Sequence, residues 1–297
     1  MPDADVTGLV RLGSNVEIVR ADLRDARALE GVCDGATTVF HAAGLVHPRR
    51  VKDLYDTNVG GTEKILAAAI SAKAKRFLFV SSNSPAGLNV SADRLMSEQD
   101  APRPYLNYGL SKLKAEWAVL DAFRKGRIET AIARPCWFYG PNQPTRQTRF
   151  LQMIKGGKPI VIGLGTNLRS LTYVDNAVQG LLLLEAIERA AGKTYWITDR
   201  RPYSFIEILQ TVAKILEVEI RPRYLPSVGS HVARFADSLL QMAGFYQQEL
   251  HVAGEITASI AVSIDAARRD LGYDPEVELE EGMQRSIDWC RTHGIEL

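Results

Sequence analysis

The sequence predicts an α/β fold built on a doubly wound parallel sheet, accompanied by a smaller C-terminal domain. Three observations point there. Short apolar runs rich in β-branched and aromatic residues alternate with longer segments of helical spacing. The runs are continuously apolar over several residues rather than strictly alternating, which suits strands covered on both faces. After about Pro141 this rhythm gives way to polar and Gly-rich stretches.

The elements follow in order. Residues 16–19 (VEIV), 37–42 (TTVFHA), 76–80 (RFLFV) and 129–133 (ETAIA) read as strands. Residues 51–72 read as a helix, and so do residues 108–123, with apolar positions at Leu110, Leu113, Trp117 and Leu120. Crossovers between parallel strands are right-handed, so helices cover both faces of the sheet. Residues 171–185 predict a strand and then an apolar helix. Residues 204–216 predict a helix with Ser204 as its N-cap. In residues 228–243, Val228, Val232, Phe235, Ala236, Leu239, Leu240 and Ala243 recur at helical spacing. That stripe is expected to pack against its neighbours; the sharper alternative is an apolar lid or membrane-surface contact. The first domain is expected to comprise residues 1–141 and 171–200, and the second 142–170 and 201–297.

Composition narrows the function classes. The 297 residues are 46% hydrophobic and 24% charged, with a formal net charge of +1. This balance makes no electrostatic case for nucleic acid or an anionic membrane as the main partner. Cys33, Cys136 and Cys290 are scattered, with no metal-ligand spacing, so no metal site is expected and a reduced cytoplasmic setting fits. The longest apolar run, around residues 181–184, is too short for a transmembrane segment, and the start has no signal-peptide pattern.

The chemistry gathers around Tyr108-Gly-Leu-Ser-Lys112. Four residues apart on a helix, the phenol and the ammonium share a face. A tyrosine near its reference pKa of ~10 is a poor base at neutral pH, and a nearby cation favours the phenolate. The pair is suited to take a proton from an alcohol, or give one to a carbonyl, in step with hydride transfer. Upstream, residues 76–80 end in Ser81-Ser82, and the Ser82 hydroxyl is placed to orient the reacting oxygen. The preceding strand ends in His41-Ala-Ala-Gly44, whose small residues let a flat cofactor approach the backbone. Taken singly, a surface helix pair, a serine satisfying loop backbone and a tight turn explain these features equally well.

Their order carries more. Asp22-Leu23, His41-Ala-Ala-Gly44, Asn58-Val-Gly-Gly-Thr62, Ser81-Ser82, Tyr108-x-x-x-Lys112, Arg134-Pro135, Tyr173-Val-Asp-Asn176, Leu271-Gly-Tyr-Asp-Pro275 and Leu279-Glu-Glu-Gly282 stand in one sequence. This set resembles the extended short-chain dehydrogenase/reductases, which include nucleotide-sugar epimerases and dehydratases and the 3β-hydroxysteroid dehydrogenases. The resemblance spans nearly the whole chain and implies a Rossmann-like first domain, NAD or NADP as cofactor and a small-molecule substrate. It implies that Ser82, Tyr108 and Lys112 are catalytic. Asp22 and Leu23 would flank the adenine, and Ala42, Ala43 and Gly44 would line the cofactor groove. Asn58 would stand near the active site, Lys112 would also contact the nicotinamide ribose, and Pro135 would lie beside the nicotinamide. It further implies a homodimer through the helices at 51–72 and 108–123, where Leu54, Ile65, Leu66, Leu113 and Trp117 supply apolar surface for an interface or a core.

Substrate positions separate the subgroups. Asn83 and Ser84 stand where sugar dehydratases carry an acidic pair, which disfavours dehydration. Arg169 stands where nucleotide-sugar enzymes hold a diphosphate. Residues 81–87 (SSNSPAG) are closer to the steroid dehydrogenase version. The expectation is an alcohol/ketone oxidoreductase of that kind, with a nucleotide-sugar epimerase and a non-catalytic Rossmann binding protein as alternatives. One departure is large: no Gly-rich strand–turn–helix precedes residue 16. Residues 5–11 (DVTGLVR) instead resemble the second strand, with Arg11 placed for a 2′-phosphate. The chain therefore reads either as N-terminally truncated by ~25–30 residues, the favoured expectation, or as a defective or specialised variant; weakened NAD(P) binding and looser folding are expected, because a dinucleotide's diphosphate is normally held at that helix N-terminus.

Overall fold

The structure, a computed structural model, describes residues 17–91 and 94–297. Strand β1 (Thr38–His41) is followed by helix α1 (Val51–Leu54), a π-helical segment (Tyr55–Gly61) and helix α2 (Thr62–Ser71). Then come β2 (Arg76–Val80), α3 (Leu106–Arg124), β3 (Glu129–Arg134), β4 (Trp137–Tyr139), α4 (Thr145–Lys155), β5 (Ile160–Ile162), β6 (Leu168–Arg169) and β7 (Leu171–Tyr173). The remainder is α5 (Val174–Ala186), β8 (Lys193–Trp196), β9 (Tyr203–Ser204), α6 (Phe205–Ile215), β10 (Arg223–Leu225), α7 (Val228–Met242), α8 (Gln248–Glu255), α9 (Asp265–Leu271) and α10 (Leu279–Thr292).

Among the described residues, β1, β2, β3 and β8 form one parallel sheet in that spatial order. Side chains alternate across a strand, so each strand serves two cores. Phe77, Phe79 and Ile132 point to the face covered by α2 and α3, where they meet Ile65, Leu66, Ala69, Ala115 and Val119. Leu78, Ala131 and Ala133 point to the other face, against Leu184 of α5 and Ala267 and Leu271 of α9. This two-sided burial is why apolar residues run consecutively through residues 77–80 and 131–133 rather than at every second position. A third cluster gathers Tyr139, Tyr173, Tyr203, Leu151, Ile208, Met283 and Ile287, and holds α4, α6 and α10 together.

Two motifs seen in the sequence prove to be joints. Tyr173 caps α5, and the buried Asp199 carboxylate accepts from the Tyr173 N–H (2.8 Å), the Asn176 amide (2.8 Å) and the Tyr139 hydroxyl (2.7 Å). Burial raises this carboxyl to about 6 against the pull of those donors. Asn176 also exchanges two hydrogen bonds with the Val277 backbone, at 2.8 and 3.1 Å, and the Tyr273 hydroxyl donates to the Thr198 carbonyl at 2.8 Å. The Tyr-Val-Asp-Asn stretch thus latches the C-terminal segment onto the sheet. Ser204 caps α6 in a reciprocal capping box with Glu207.

Two expectations are corrected. Residues 17–19 form no strand and pair with no strand among the described residues, and Ile18 and Val19 are exposed. Residue 16, residues 5–11 and Arg11 lie outside the described residues. Helix α7 forms where expected but faces the other way. Ser230, Ala233, Asp237 and Gln241 are buried, while Val228, Val232, Phe235, Leu239 and Met242 are exposed. The reason is polar: Asp237 bonds His251 of α8 at 2.9 Å, and Gln241 accepts from the Asn107 backbone N–H at 3.1 Å and its side-chain amide at 3.0 Å. Of the apolar side chains expected to serve a core or an interface, Leu54, Ile65, Leu66 and Leu113 are buried in their own chain, and Trp117 is half exposed. Among the described residues, no helix is long and apolar enough to cross a membrane.

One buried ion pair ties the sheet to α3. Arg134, at the carboxyl end of β3, is bidentate to Glu116, at 2.9 and 2.6 Å, and both side chains are almost wholly buried. Removing one partner strands the other charge, so Glu116→Ala is expected to lose about 3–5 kcal/mol of stability in urea unfolding. A loss under about 1 kcal/mol would mean the pair behaves as a solvated surface bridge.

Candidate active site

The site is built at the carboxyl edge of β1 and β2, where open parallel sheets expose backbone and loops. Strand β2 runs directly into residues 81–84. The Ser84 N–H donates to the Ser82 hydroxyl (3.3 Å), which also lies 3.4 Å from the Asn83 and Ser84 side-chain oxygens. Helix α3 sits down on this loop. The Tyr105 N–H donates to the Ser84 carbonyl at 3.1 Å, and a Cβ at Gly109 would lie 2.5 Å from the same oxygen. No residue with a side chain fits position 109 without moving the helix or the loop. The entry to α3 is pinned on two further sides. The Tyr55 hydroxyl donates to Asn107 at 2.7 Å, and Gln241 of α7 holds the Asn107 amides. Leu106, between these anchors, takes the left-handed conformation (φ 49°), a strain of the kind that persists where surroundings enforce it.

That seating brings Tyr108 to Ser82. Burial raises the phenol above the ordinary tyrosine range, and hydrogen bonding by the Ser82 hydroxyl pulls it back. Glu255 raises it further and Arg146 lowers it. The expected effect of Lys112 on this phenol is not found. The Lys112 ammonium instead donates to the Val80 carbonyl at 2.9 Å and lies 4.1 Å from the centre of the Phe79 ring. It is 4% exposed, and burial lowers its pKa to about 7, with Glu116 opposing.

Asn58 organises the floor. It lies in the π-helical segment, a conformation frequent at functional sites. Its side chain accepts from the Leu45 N–H (2.7 Å) and donates to the Leu45 carbonyl (2.9 Å) and the Ser111 hydroxyl (3.1 Å). Gly44 is held just above: a Cβ there would meet Asn58 Oδ1 at 3.3 Å and Lys112 Nζ at 3.8 Å. Ala42 and Ala43 are exposed and line an open cleft of about 410 Å³ with Leu23, Val39, Phe40 and Ile65, within the size range of ligand clefts. Leu23 packs on Gly61 of the π-helical segment. Asp22, exposed beside it, is paired with Arg24 at 2.6 Å, and the Arg24 hydrogen bonds hold its carboxyl at about 2. Pro135 is buried just after β3.

Arg169, singled out in the sequence, is joined by residues of separate segments that sequence reasoning missed: Arg146, His47, Tyr105, Tyr246 and His251. Arg169, half-buried, donates to the Glu255 carbonyl at 2.6 Å and has no carboxylate within ion-pair distance among the described residues. Arg146, at the start of α4, lies 3.2 Å from the His47 ring, whose other nitrogen is 3.2 Å from the Tyr246 hydroxyl. Burial and the Arg146 charge lower His47 to about 4, so this ring is neutral at physiological pH. The rings of Tyr105 and Tyr246 flank His251 at 4.8 and 5.2 Å. Apart from Arg169, these groups come from separate segments with no characteristic spacing, so no sequence signal announces them.

The residues fit a dinucleotide on two counts. The Ala42–Ala43–Gly44 wall adjoins the Lys112 ammonium, and the Ser81 hydroxyl at the same edge is buried without a hydrogen-bond partner in the described structure. The burial of Lys112 also has a thermodynamic signature. Its folded pKa of about 7 lies below the ordinary lysine value of 10.5, so the unfolded chain binds the extra proton between these values. Stability contributed by this residue is lowest below pH ~7 and is regained as pH rises toward ~10.5. Lys112→Met is therefore expected to melt at a higher temperature than the parent at pH 6, the gap closing toward pH 10. A variant that melts lower than the parent at pH 6 would contradict the assignment.

Comparisons with known proteins give the family and the fold. Residues 2–197 match the model of the NAD dependent epimerase/dehydratase family. An uncharacterised protein of Sinorhizobium fredii, y4nL, is 40% identical over 98% of this chain and 83% of its own length. The 3beta-hydroxysteroid-dehydrogenase/decarboxylase isoform 1 of Arabidopsis thaliana is 26% identical, over 96% of this chain and 69% of its own. The fold matches the UDP-glucose 4-epimerase of Thermotoga maritima with a TM-score of 0.79 at 22% identity, covering 99% of this chain and 89% of that one. With a Rossmann-like parallel sheet beneath a Tyr-x-x-x-Lys site, and with the family match covering well over half its length, the chain belongs to the NAD dependent epimerase/dehydratase family.

Proposed function

We propose that the protein is an NAD(P)-dependent oxidoreductase acting on a secondary alcohol or the matching ketone. The observation that carries this reading is the meeting of the Ser82 hydroxyl and the Tyr108 phenol at the carboxyl edge of β2, with no acidic pair beside them. Asn83 and Ser84 follow Ser82 and leave the dehydration route without its acid and base. The similarity to the Arabidopsis steroid dehydrogenase supports the same choice.

In this reading Ser82 orients the substrate oxygen and Tyr108 exchanges its proton. Leu23, the Ala42–Gly44 wall, Lys112 and Pro135 would hold the cofactor, with Asp22 at its adenine end. The cofactor, when bound, supplies the hydride acceptor or donor. Asn58 positions the loop at Leu45 and, through Ser111, the first turn of α3. Raised by burial, the Tyr108 phenol favours its protonated form, which suits proton donation to a carbonyl. A second reading, epimerisation of a nucleotide sugar, is favoured by Arg169, whose half-buried guanidinium lacks a carboxylate partner among the described residues and suits a diphosphate.

The two readings part on net redox change. An oxidoreductase accumulates NAD(P)H from a secondary alcohol, whereas an epimerase returns the hydride and accumulates none. Net NAD(P)H from apolar secondary alcohols but not from nucleotide sugars is expected, and Tyr108→Phe should cut turnover roughly a hundredfold or more while leaving cofactor binding nearly intact. Undiminished turnover in Tyr108→Phe would remove the tyrosine from the mechanism.

A further inference from the structure

A short hydrogen-bonded relay stands beside the active site. The Arg146 guanidinium lies 3.2 Å from Nε2 of His47, and Nδ1 of His47 lies 3.2 Å from the Tyr246 hydroxyl. Arginine can only donate, so Nε2 is the accepting nitrogen and Nδ1 carries the ring proton. That proton is donated to the Tyr246 oxygen, which leaves the Tyr246 O–H to donate elsewhere. Burial and the Arg146 charge hold His47 at about 4 and keep the ring in this neutral form. Two donors are thus left without an acceptor among the described residues: the remaining N–H groups of Arg146 and the hydroxyl of Tyr246.

Both donors stand near the reacting phenol. His47 follows Gly44 by three residues, and Gly44 lies against Asn58 and the Lys112 ammonium. The Arg146 charge lowers the Tyr108 and Tyr246 phenols alike. The acids of the neighbourhood are engaged by other groups. Glu255, whose charge also reaches Tyr108 and Tyr246, supports the charge of Arg169. Asp237 is bonded to His251 and Gln241, both at 2.9 Å, Glu249 accepts from Gln247 at 2.9 Å, and Asp53 is paired with Arg50 at 2.9 Å. Among the described residues, no carboxylate lies within ion-pair distance of Arg146. The local fold gives this exposed cation no support either. Helix α4 has no acid in its first turn, and its N-terminal dipole opposes a positive charge there.

We propose that Arg146 and Tyr246 bind a carboxylate of the substrate, so that the secondary alcohol or ketone is otherwise apolar but carries one acid group. The inference rests on the oxidoreductase reading of this site and names its substrate class. One unanswered positive charge, with a planar fork of N–H donors and a hydroxyl beside it, matches the single charge and two oxygens of a carboxylate. A diphosphate carries more charge than this cation offsets. Glu255, near Arg169, repels an acid group and leaves the Arg146 end of the pocket to receive it.

The test uses the full chain with NAD(P)+ and three probes: 3-hydroxyoctanoate, its methyl ester and UDP-glucose. Two readouts are taken, the thermal melt with each probe, which needs no turnover, and kcat/KM from NAD(P)H absorbance. The acid is expected to raise the melt more than either other probe, and to exceed the ester in kcat/KM by about tenfold or more, the worth of a charge-assisted hydrogen bond. Arg146→Met should melt like the parent without a probe, since the side chain is exposed, and should erase the preference for the acid in both readouts. Arg146→Lys should restore part of it. An acid-specific rise in the melt that Arg146→Met abolishes, with neither compound turned over, would support the carboxylate site and count against the oxidoreductase reading alone. An acid that raises the melt no more than the ester, or raises it equally in Arg146→Met, would overturn the proposal. So would a melt raised most by UDP-glucose and lost in Arg146→Met, which would assign the cation to a diphosphate.

Discussion

The close seating of α3 on the loop leaving β2 is the constraint on which the rest of the site depends. A strand end and a helix start are far apart in sequence, and only a contact without side-chain bulk lets them share an edge. Gly109 supplies it, lying where a Cβ would be 2.5 Å from the Ser84 carbonyl. Once α3 is down, Tyr108 meets Ser82, and one turn later Lys112 reaches the Val80 carbonyl and the Phe79 ring. The Glu116–Arg134 pair, one turn further on, then clamps the same helix to β3. Three successive turns of one helix therefore carry Tyr108, the buried cation and the clamp.

The arrangement sets function against stability. A lysine buried to 4% exposure destabilises the fold, and the left-handed Leu106 adds backbone strain at the head of the same helix. Such features persist where surroundings enforce them, and here the enforcement comes from far parts of the chain. Gln241 of α7 grips Asn107, Tyr55 of the π-helical segment grips it from the other side, and Asn58 binds both Ser111 and the loop at Leu45. From the C-terminal half, Gln241 thus holds α3 at its entry.

What the sequence revealed, and what it did not, follows from the same physics. Strands β2 and β3 were legible because burial on both faces demands consecutive apolar residues, and residues 77–80 and 131–133 supply them. Ser82, Tyr108 and Lys112 were legible because their spacing and order are fixed by one strand end and one helix face. Residues 17–19 look like strand by composition, but a strand needs a partner, and composition says nothing of partners. The stripe in α7 announced an amphipathic helix, yet periodicity cannot say which face is inside. Polar partners on α8 and α3 decided it. His47, Arg146, Tyr246 and His251 meet only in three dimensions, and no local pattern links them.

The central claim is that the bare backbone at position 109 lets α3 approach closely enough to bring Tyr108 to Ser82. The most direct measurement is the turnover of Gly109→Ala beside its cofactor affinity, followed by NAD(P)H absorbance and fluorescence. Adding one methyl group forces the helix or the loop to give way. A displacement on the order of 1 Å at a reacting centre costs about a hundredfold, so turnover should fall by tenfold or more while cofactor affinity changes little. Turnover within about twofold of the parent, with the fold intact, would show that the helix–loop contact does not set the geometry of the site.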